Sequence, residues 1–375
     1  MTARSGPDTV LEGCVVVIAA DRRSADLAAA LERRGAVVRC APPLSIVPAI
    51  DDDELIARTR ELIAEPPDVV VVTTGVGLRG WMDAVDQSDL HASLTTALSG
   101  ARFVARGPKA HGAIQQAGFT ADWVAESETS AEVAEHLIAD GAAGRRIAVQ
   151  HHGAGADDLD EQLARHGAQV VPLTVYRWGP PPDPDIVRRA VLQTAAGGVD
   201  AVLFTSAPGA REWVRIAESR GALDRIRERA RSGRLLLASV GPITAGPLTA
   251  VHLPTRLAAR GRLGSLVRSV VEHYSGREPR VMTAAGELQV RSAGAVLDGR
   301  FIALSPASAS ILGALFDARG RVLSREDLAH ALPRGGERAH AVEMAIARLR
   351  DRLGGGETVQ TVTKRGYRLT TEETE

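Results

Sequence analysis

The sequence predicts an α/β protein with two doubly wound parallel-sheet domains related by an internal repeat, followed by a smaller C-terminal domain of helices and a hairpin. Three observations carry this. Continuous apolar runs such as Val15–Ala19, Val69–Thr73, Ile147–Gln150 and Ala201–Thr205 alternate with helical segments. Runs of that kind mark strands buried on both faces, as in parallel sheets covered by helices. The first 275 residues repeat themselves, and the last hundred change character, closing on an arginine-bearing helix and a basic hairpin.

The repeat is read directly. DLAAALERRGAVV from Asp26 pairs with DLDEQLARHGAQV from Asp158, and DVVVVTTGVGLRGWM from Asp68 pairs with DAVLFTSAPGAREWV from Asp200, both at an offset of 132 residues. ARGPKAHG (Ala105–Gly112) pairs with SVGPITAG (Ser239–Gly246) at an offset of 134. Each half holds an apolar strand, a helix, a strand ending in hydroxyl residues, a helix, and a strand ending in Gly-Pro. Each half is therefore expected to form its own parallel sheet.

In such sheets a ligand sits beyond the carboxyl ends of the strands. Those ends are Thr73-Thr74-Gly75, Thr205-Ser206-Ala207, Arg106-Gly107-Pro108 and Val240-Gly241-Pro242. Hydroxyls and small residues just before helices leave backbone N–H groups and a favourable dipole for an anion. The alternative is that each hydroxyl is simply an N-cap. Two matched sets favour a polyanionic ligand.

Composition sets the frame. The chain has 375 residues, is 45% hydrophobic and carries a formal charge of −1, which suits two or three globular domains. Lys109 and Lys364 are the sole lysines among 45 basic residues, a bias that fits GC-rich coding more than function. Cys14 and Cys40 are too few for a disulfide framework and fall in apparent core strands, so a cytoplasmic setting is expected. MTARSGPDTVLEG lacks an apolar signal core, and no run approaches the ~18 apolar residues of a membrane span. His151-His152-Gly153 invites a metal reading, but adjacent strand residues point to opposite faces, and no metal or cofactor is expected. The run Gly179-Pro180-Pro181-Pro182 reads as a stiff connection.

The C-terminal segment ERAHAVEMAIARLRDRLGGGETVQTVTKRGYRL (Glu337–Leu369) reads as an amphipathic helix, a Gly-rich turn and a β-hairpin with a basic tip. At 100° per residue Val342, Ile346, Leu349 and Leu353 form one core-facing stripe. Opposite lie His340, Met344, Ala347 and Asp351, with Arg348 and Arg352 on one flank and Glu343 and Arg350 on the other. Alone, this helix fits an ordinary charged surface helix as well as one lying in a major groove with its flanks on phosphates. The hairpin tilts the balance: Val359, Thr361 and Thr363 alternate, Lys364-Arg365-Gly366 makes the tip, and Tyr367-Arg368-Leu369 returns.

This is the layout of a winged helix, and residues from about 280 to 370 resemble the effector domain of OmpR-type response regulators. GRVLSREDL (Gly320–Leu328), VEMAIARLRDRLG (Val342–Gly354) and VQTVTKRGYRL (Val359–Leu369) carry the likeness. Leu288–Val290, Ala295–Leu297 and Phe301–Leu304 fit that family's short antiparallel sheet, Ser305-Pro306 an N-cap with Pro at the first helical position, and Ser324 with Asp327 a capping box. The resemblance implies that Arg348 and Arg350 contact promoter DNA, with Lys364 and Arg365 as the wing; His340, Met344 and Arg352 join the expected interface. It also implies a homodimer on direct repeats. Ser308 stands where an acidic residue is usual, and Ala345 and Ala347 replace larger polar residues, so fewer base contacts are expected.

Residues 13 to 273 resemble uroporphyrinogen-III synthase, which closes linear hydroxymethylbilane into a porphyrinogen ring. VVVVTTGVG (Val69–Gly77), VARGPKAHGAIQQAGF (Val104–Phe119), VVPLTVYRW (Val170–Trp178), AVLFTSAPGAREWV (Ala201–Val214) and SVGPITAGPL (Ser239–Leu248) carry it. The resemblance implies a chain that crosses between domains twice: residues 1–46 and 175–275 in one, 47–174 in the other, and 280–375 as the winged helix. It implies an anionic ligand, a tetrapyrrole or its linear precursor, with Thr74, Ser206, Gly241 and Thr244 at positions that line the family's cleft; the strand-end residues Gly75, Arg106, Gly107 and Thr205 join them as expected contacts. Tyr176 matches the family's cleft tyrosine, either a weak general acid or a hinge ring packing beside Trp178. Ala110 stands where Thr is usual, Ala19-Ala20-Asp21 replaces Thr-Arg-Pro, and His151-His152-Gly153 stands where Arg-Gly is frequent. The two likenesses together resemble actinobacterial regulators, some tied to nitrate and nitrite assimilation. The expected function is a DNA-binding transcription regulator that senses a ligand; the alternative is a working synthase with an appended DNA-binding domain.

Overall fold

Two five-stranded parallel sheets, each covered by helices, carry most of the chain. The computed structural model describes residues 9–48, 53–151, 158–259, 261–277, 279–332 and 338–371. The chain divides into two units, Met1–Leu44 with Pro180–Glu375, and Ser45–Gly179.

The first unit opens with β1 (Val15–Ala19), α1 (Ser24–Glu32) and β2 (Val37–Cys40). The second runs through β3 (Ser45–Pro48), α2 (Asp53–Ala64), β4 (Val69–Val72), α3 (Gly75–Gln87), α4 (His91–Leu98), β5 (Arg102–Ala105), α5 (Pro108–Gln116), β6 (Ala121–Val124), α6 (Ser130–Ala139), β7 (Arg146–His151), α7 (Leu159–Arg165), β8 (Gln169–Thr174) and β9 (Tyr176–Gly179). The chain then completes the first unit with α8 (Pro184–Ala196), β10 (Ala201–Phe204), α9 (Ala207–Ser219), α10 (Leu223–Arg231), β11 (Leu236–Ser239), α11 (Pro242–Ala250), β12 (Arg256–Leu257) and α12 (Leu263–Glu272).

The expectation that each repeat builds its own sheet is corrected. Strand orders are β12-β11-β10-β1-β2 and β6-β5-β4-β7-β8, so each sheet takes two strands from one repeat and three from the other. A carboxylate marks each junction: Asp200 Oδ2 accepts the Val15 amide at 2.7 Å, and Asp68 Oδ2 accepts the Arg146 amide at 2.7 Å. The apolar period of a strand says that it needs neighbours on both sides, not which copy supplies them. The crossing segments β3 and β9 pair antiparallel, Ser45 opposite Gly179 and Pro48 opposite Tyr176.

The apolar runs are explained by two covered faces. Val70 and Val72 pack with Leu78 and Trp81, whereas Val69 and Val71 pack with Val133 and Leu137. Likewise Val202 and Phe204 meet Trp213, and Ala201 and Leu203 meet Leu27 and Leu266. Cys14 is buried as expected, but Cys40 is exposed, because β2 is an edge strand whose Val37 is also half open. Among the described residues no helix is long and apolar enough to cross a membrane.

The C-terminal part holds an antiparallel sheet of β13 (Val281–Thr283), β14 (Gly286–Arg291), β15 (Gly294–Leu297) and β16 (Arg300–Ala303), then α13 (Pro306–Asp317), α14 (Arg325–Ala331), α15 (Arg338–Arg352) and the hairpin β17 (Val359–Val362)–β18 (Gly366–Leu369). Ser305 caps α13 through the Ser308 amide at 3.2 Å, with Pro306 at the first turn. Ser324 and Asp327 form both halves of a capping box on α14. Val342, Ile346, Leu349 and Leu353 are at most 2% exposed and share one core with Leu312, Phe316, Val359 and Leu369. Buried Ser308 donates to the Ala345 carbonyl at 3.4 Å, tying α13 to α15 where a carboxylate would be desolvated.

Gly366 is fixed by geometry. Its φ is +132°, and an added Cβ would lie 1.9 Å from the Leu323 carbonyl oxygen, which accepts the Tyr367 amide at 2.9 Å. Gly366→Ala is expected to destabilise the C-terminal domain by on the order of 2–3 kcal/mol, as strain and overlap act together. Amide hydrogen exchange of the β17–β18 hairpin at rising denaturant would show it; a midpoint equal to wild type would contradict the assignment.

Candidate nucleic-acid interface and strand-end sites

The core stripe of α15 leaves its opposite face to solvent. His340, Met344, Ala347, Arg348, Asp351 and Arg352 are exposed, and Met344 keeps 42% of its surface open. At the hairpin tip Lys364 and Arg365 are exposed; Lys364 adopts φ +61°, and the Arg365 amide closes the turn on Val362 at 2.9 Å. Glu343 pairs with Arg325 of α14 at 3.1 Å, which removes one acidic group from the reading face. Ala345 is 3% exposed and belongs to the core, so only Ala347 thins the reading face.

Arg350 is placed differently from the sequence expectation of a DNA contact. Its Nε donates to the Val359 carbonyl at 2.8 Å, its Nη2 to Thr361 Oγ1 at 2.7 Å, and its guanidinium lies 5.8 Å from the Tyr367 ring centroid. These contacts brace the end of α15 against both strands of the hairpin. The remaining exposed cations, Arg348, Arg352, Lys364 and Arg365, lie on the helix face and wing without such bonds among the described residues.

At the strand ends the hydroxyls are engaged locally. Thr74 Oγ1 accepts the Gly77 amide at 3.0 Å and Ser206 Oγ accepts the Gly209 amide at 3.2 Å, so each caps its own helix. The Thr74 amide donates to Gln150 Oε1 at 3.2 Å, and Thr73 Oγ1 donates to the Gln150 carbonyl at 2.6 Å. Fully buried Gln150 thus clamps the end of β4, a role its sequence position did not announce. Gly75 serves packing: an added Cβ would meet the Lys109 carbonyl at 2.3 Å. Thr205 is half-buried, and Thr244 is 7% exposed on α11.

The Gly-Pro starts behave otherwise. Gly107 and Gly241 precede α5 and α11 with extended backbone, Pro at the first turn and no side-chain cap. Arg106 is half-buried, its amide held by the Val72 carbonyl at 3.0 Å, and the Val240 amide is held by Phe204 at 3.1 Å. The next side chains differ between repeats: Lys109 and Ile243 are both exposed, Ile243 at 68%.

Tyr176 is 6% exposed and meets the Trp178 ring edge-on at 6.1 Å. His151 is 7% exposed, with Nε2 2.7 Å from Asp160 Oδ2; His152 and Gly153 lie outside the described residues. Among the described residues no group of three or more His, Cys, Asp or Glu is placed to hold a metal ion.

A duplicated parallel α/β module joined to a winged helix with an open basic face defines a DNA-binding fusion protein. Residues 25–268 match the model for uroporphyrinogen-III synthase HemD, and residues 299–369 match that for the C-terminal domain of transcriptional regulatory proteins. The chain therefore belongs to the uroporphyrinogen-III synthase HemD family and carries an OmpR/PhoB-type DNA-binding domain at its C-terminal end. The uncharacterised protein YjjA of Bacillus subtilis (strain 168) is 27% identical over 271 residues, 72% of this chain and 98% of its own. A mutant uroporphyrinogen III synthase from the extremely thermophilic bacterium Thermus thermophilus is 26% identical with a TM-score of 0.57, covering 70% of this chain and 99% of that one. The DNA-binding domain of E. coli CadC is 29% identical over 25% of this chain and 95% of its own, with a TM-score of 0.22.

The two arginines should separate in a salt titration of DNA binding. Arg348→Ala is expected to reduce the slope of log K against log salt by about 0.9, the release of one phosphate counterion. Arg350→Ala is expected to weaken binding with the slope unchanged, because what it loses is the brace. A slope loss in Arg350→Ala equal to that in Arg348→Ala would reject the brace.

Proposed function

We propose that this chain is a transcription regulator in which the HemD-type module binds an anionic small molecule and the winged helix binds promoter DNA. The observation that carries the reading is the contrast between the two ends of the protein. The DNA face presents Arg348, Arg352, Lys364 and Arg365 outward, while Thr74 and Ser206, the hydroxyls expected to hold a ligand, already cap α3 and α9. Thr74 and Ser206 keep their O–H groups for an anion, and α5 and α11, whose first turns carry no side-chain cap, add free amides and a positive dipole end. Each start by itself suits a carboxylate, such as one of a linear tetrapyrrole or its cyclised product. Arg106 and Gly107 would serve one such start, Gly241 and Thr244 the other. Tyr176, buried against Trp178, supports the hinge more than proton transfer.

The competing reading is a working synthase, favoured by the extent of the family match over residues 25–268. Incubation with freshly made hydroxymethylbilane decides between them. The expected product is the spontaneous type I isomer in the same proportion as a protein-free control; predominant uroporphyrinogen III would overturn the regulator-only reading. Selection of fragmented genomic DNA by the full chain is expected to enrich defined promoter fragments, and recovery of all fragments alike would count against sequence-specific regulation.

A further inference from the structure

Asp68 and Asp200 occupy matching positions of the repeat and do the same first job, accepting the leading amide of the neighbouring strand at 2.7 Å. Their surroundings then part. Asp68 is exposed, whereas Asp200 keeps 3% of its surface. What covers Asp200 is the β14–β15 turn of the winged-helix domain. The Ser292 amide donates to both carboxylate oxygens, at 2.9 and 3.2 Å, and Ser292 Oγ donates to the Gly197 carbonyl at 3.0 Å. The Ala293 amide donates to the Gly13 carbonyl at 3.1 Å.

Arg291, 5% exposed, donates to the Val10 and Glu12 carbonyls at 2.9 and 2.7 Å, with its guanidinium 5.7 Å from the Tyr274 ring centroid. Tyr274 in turn donates from its hydroxyl to the Asp200 carbonyl at 2.6 Å. A second contact lies on α13. Arg234 donates to Asp317 Oδ1 at 2.8 Å and stands 5.2 Å from the Phe316 ring centroid. Burial pushes the Asp200 carboxyl above its usual range, against the pull of the Val15 amide and Ser292.

A domain swinging on a tether would leave such groups facing water. Here buried donors and acceptors of one domain find partners on the other, and parting them would break the bonds of Ser292, Ala293, Arg291 and Arg234 across the seam. The repeat supplies an internal reference, because the exposed Asp68 at the matching end of the second sheet has no such cover among the described residues. We propose that this seam is a permanent docking surface, with Asp200 as its latch, that joins the winged helix to the α/β domain of its own unit as one rigid body. Promoter DNA is therefore met with that α/β domain in a single orientation. The seam leaves Met344, Arg348, Lys364 and Arg365 exposed, so docking and DNA contact are compatible.

The test is a distance distribution between spin labels on the full chain, at Asp224→Cys of α10 and Glu326→Cys of α14, both exposed, in a Cys40→Ser background. Wild-type seam residues are expected to give one narrow distribution, free and DNA-bound alike. Asp200→Asn with Arg291→Ala is expected to broaden it several-fold, while Asp68→Asn, at the uncovered twin position, leaves it narrow. A broad distribution with the wild-type seam would overturn the proposal, even if the double variant failed to fold. A folded double variant that stayed narrow would overturn the assignment of the latch.

Discussion

The fold depends on a carboxylate placed just before each central strand. A two-stranded fragment such as β1–β2 or β7–β8 cannot bury both of its faces or satisfy its edge alone. Asp200 and Asp68 supply the missing register point by taking the first amide of β1 and β7, and the ladder Val16–Ala201 to Ala19–Phe204 follows from the first tie. Each tie joins strands from different repeats. The crossing of the chain between units is thus a consequence of strand completion, and the paired segments β3 and β9 are its visible seam.

The same duplication divides labour at the strand ends. Hydroxyls after β4 and β10 accept the third amides of helices α3 and α9 and so cap them. The Gly-Pro starts after β5 and β11 carry no such cap. Their following residues have diverged to Lys109 in one repeat and Ile243 in the other, a cation against an exposed apolar side chain.

How far the sequence spoke depended on the range of each interaction. The Val342–Ile346–Leu349–Leu353 stripe, the Ser305 cap and the Ser324–Asp327 box were legible because helix periodicity and capping act within one or two turns. The bonds of Arg350 to Val359 and Thr361 were not legible because these partners lie beyond a glycine turn, and a flank position alone does not tell phosphate from carbonyl. The repeat by itself hid the origin of each sheet's strands through its symmetry, and only the family resemblance pointed to the crossing. Cys40 followed the general expectation for a strand and missed that β2 lies at an edge. Asp200 looked like any residue starting a strand, since its second partner, Ser292, belongs to another domain.

The latch narrows the ways in which such a chain can answer a ligand. With the α15 face and the wing open while the domain is seated, occlusion of the DNA surface is not what the docked arrangement provides. A ligand changes DNA affinity only by the difference in its affinity for two conformations. A flexible tether would dissipate any such preference between the α/β sheet and the winged helix. Here one strand, β10, has the DNA-binding domain bonded before its first residue through Asp200 and the Ser206 cap of α9 after its last. Any preference of a ligand for one arrangement of this sheet would act on a winged helix bonded to it, not across a tether.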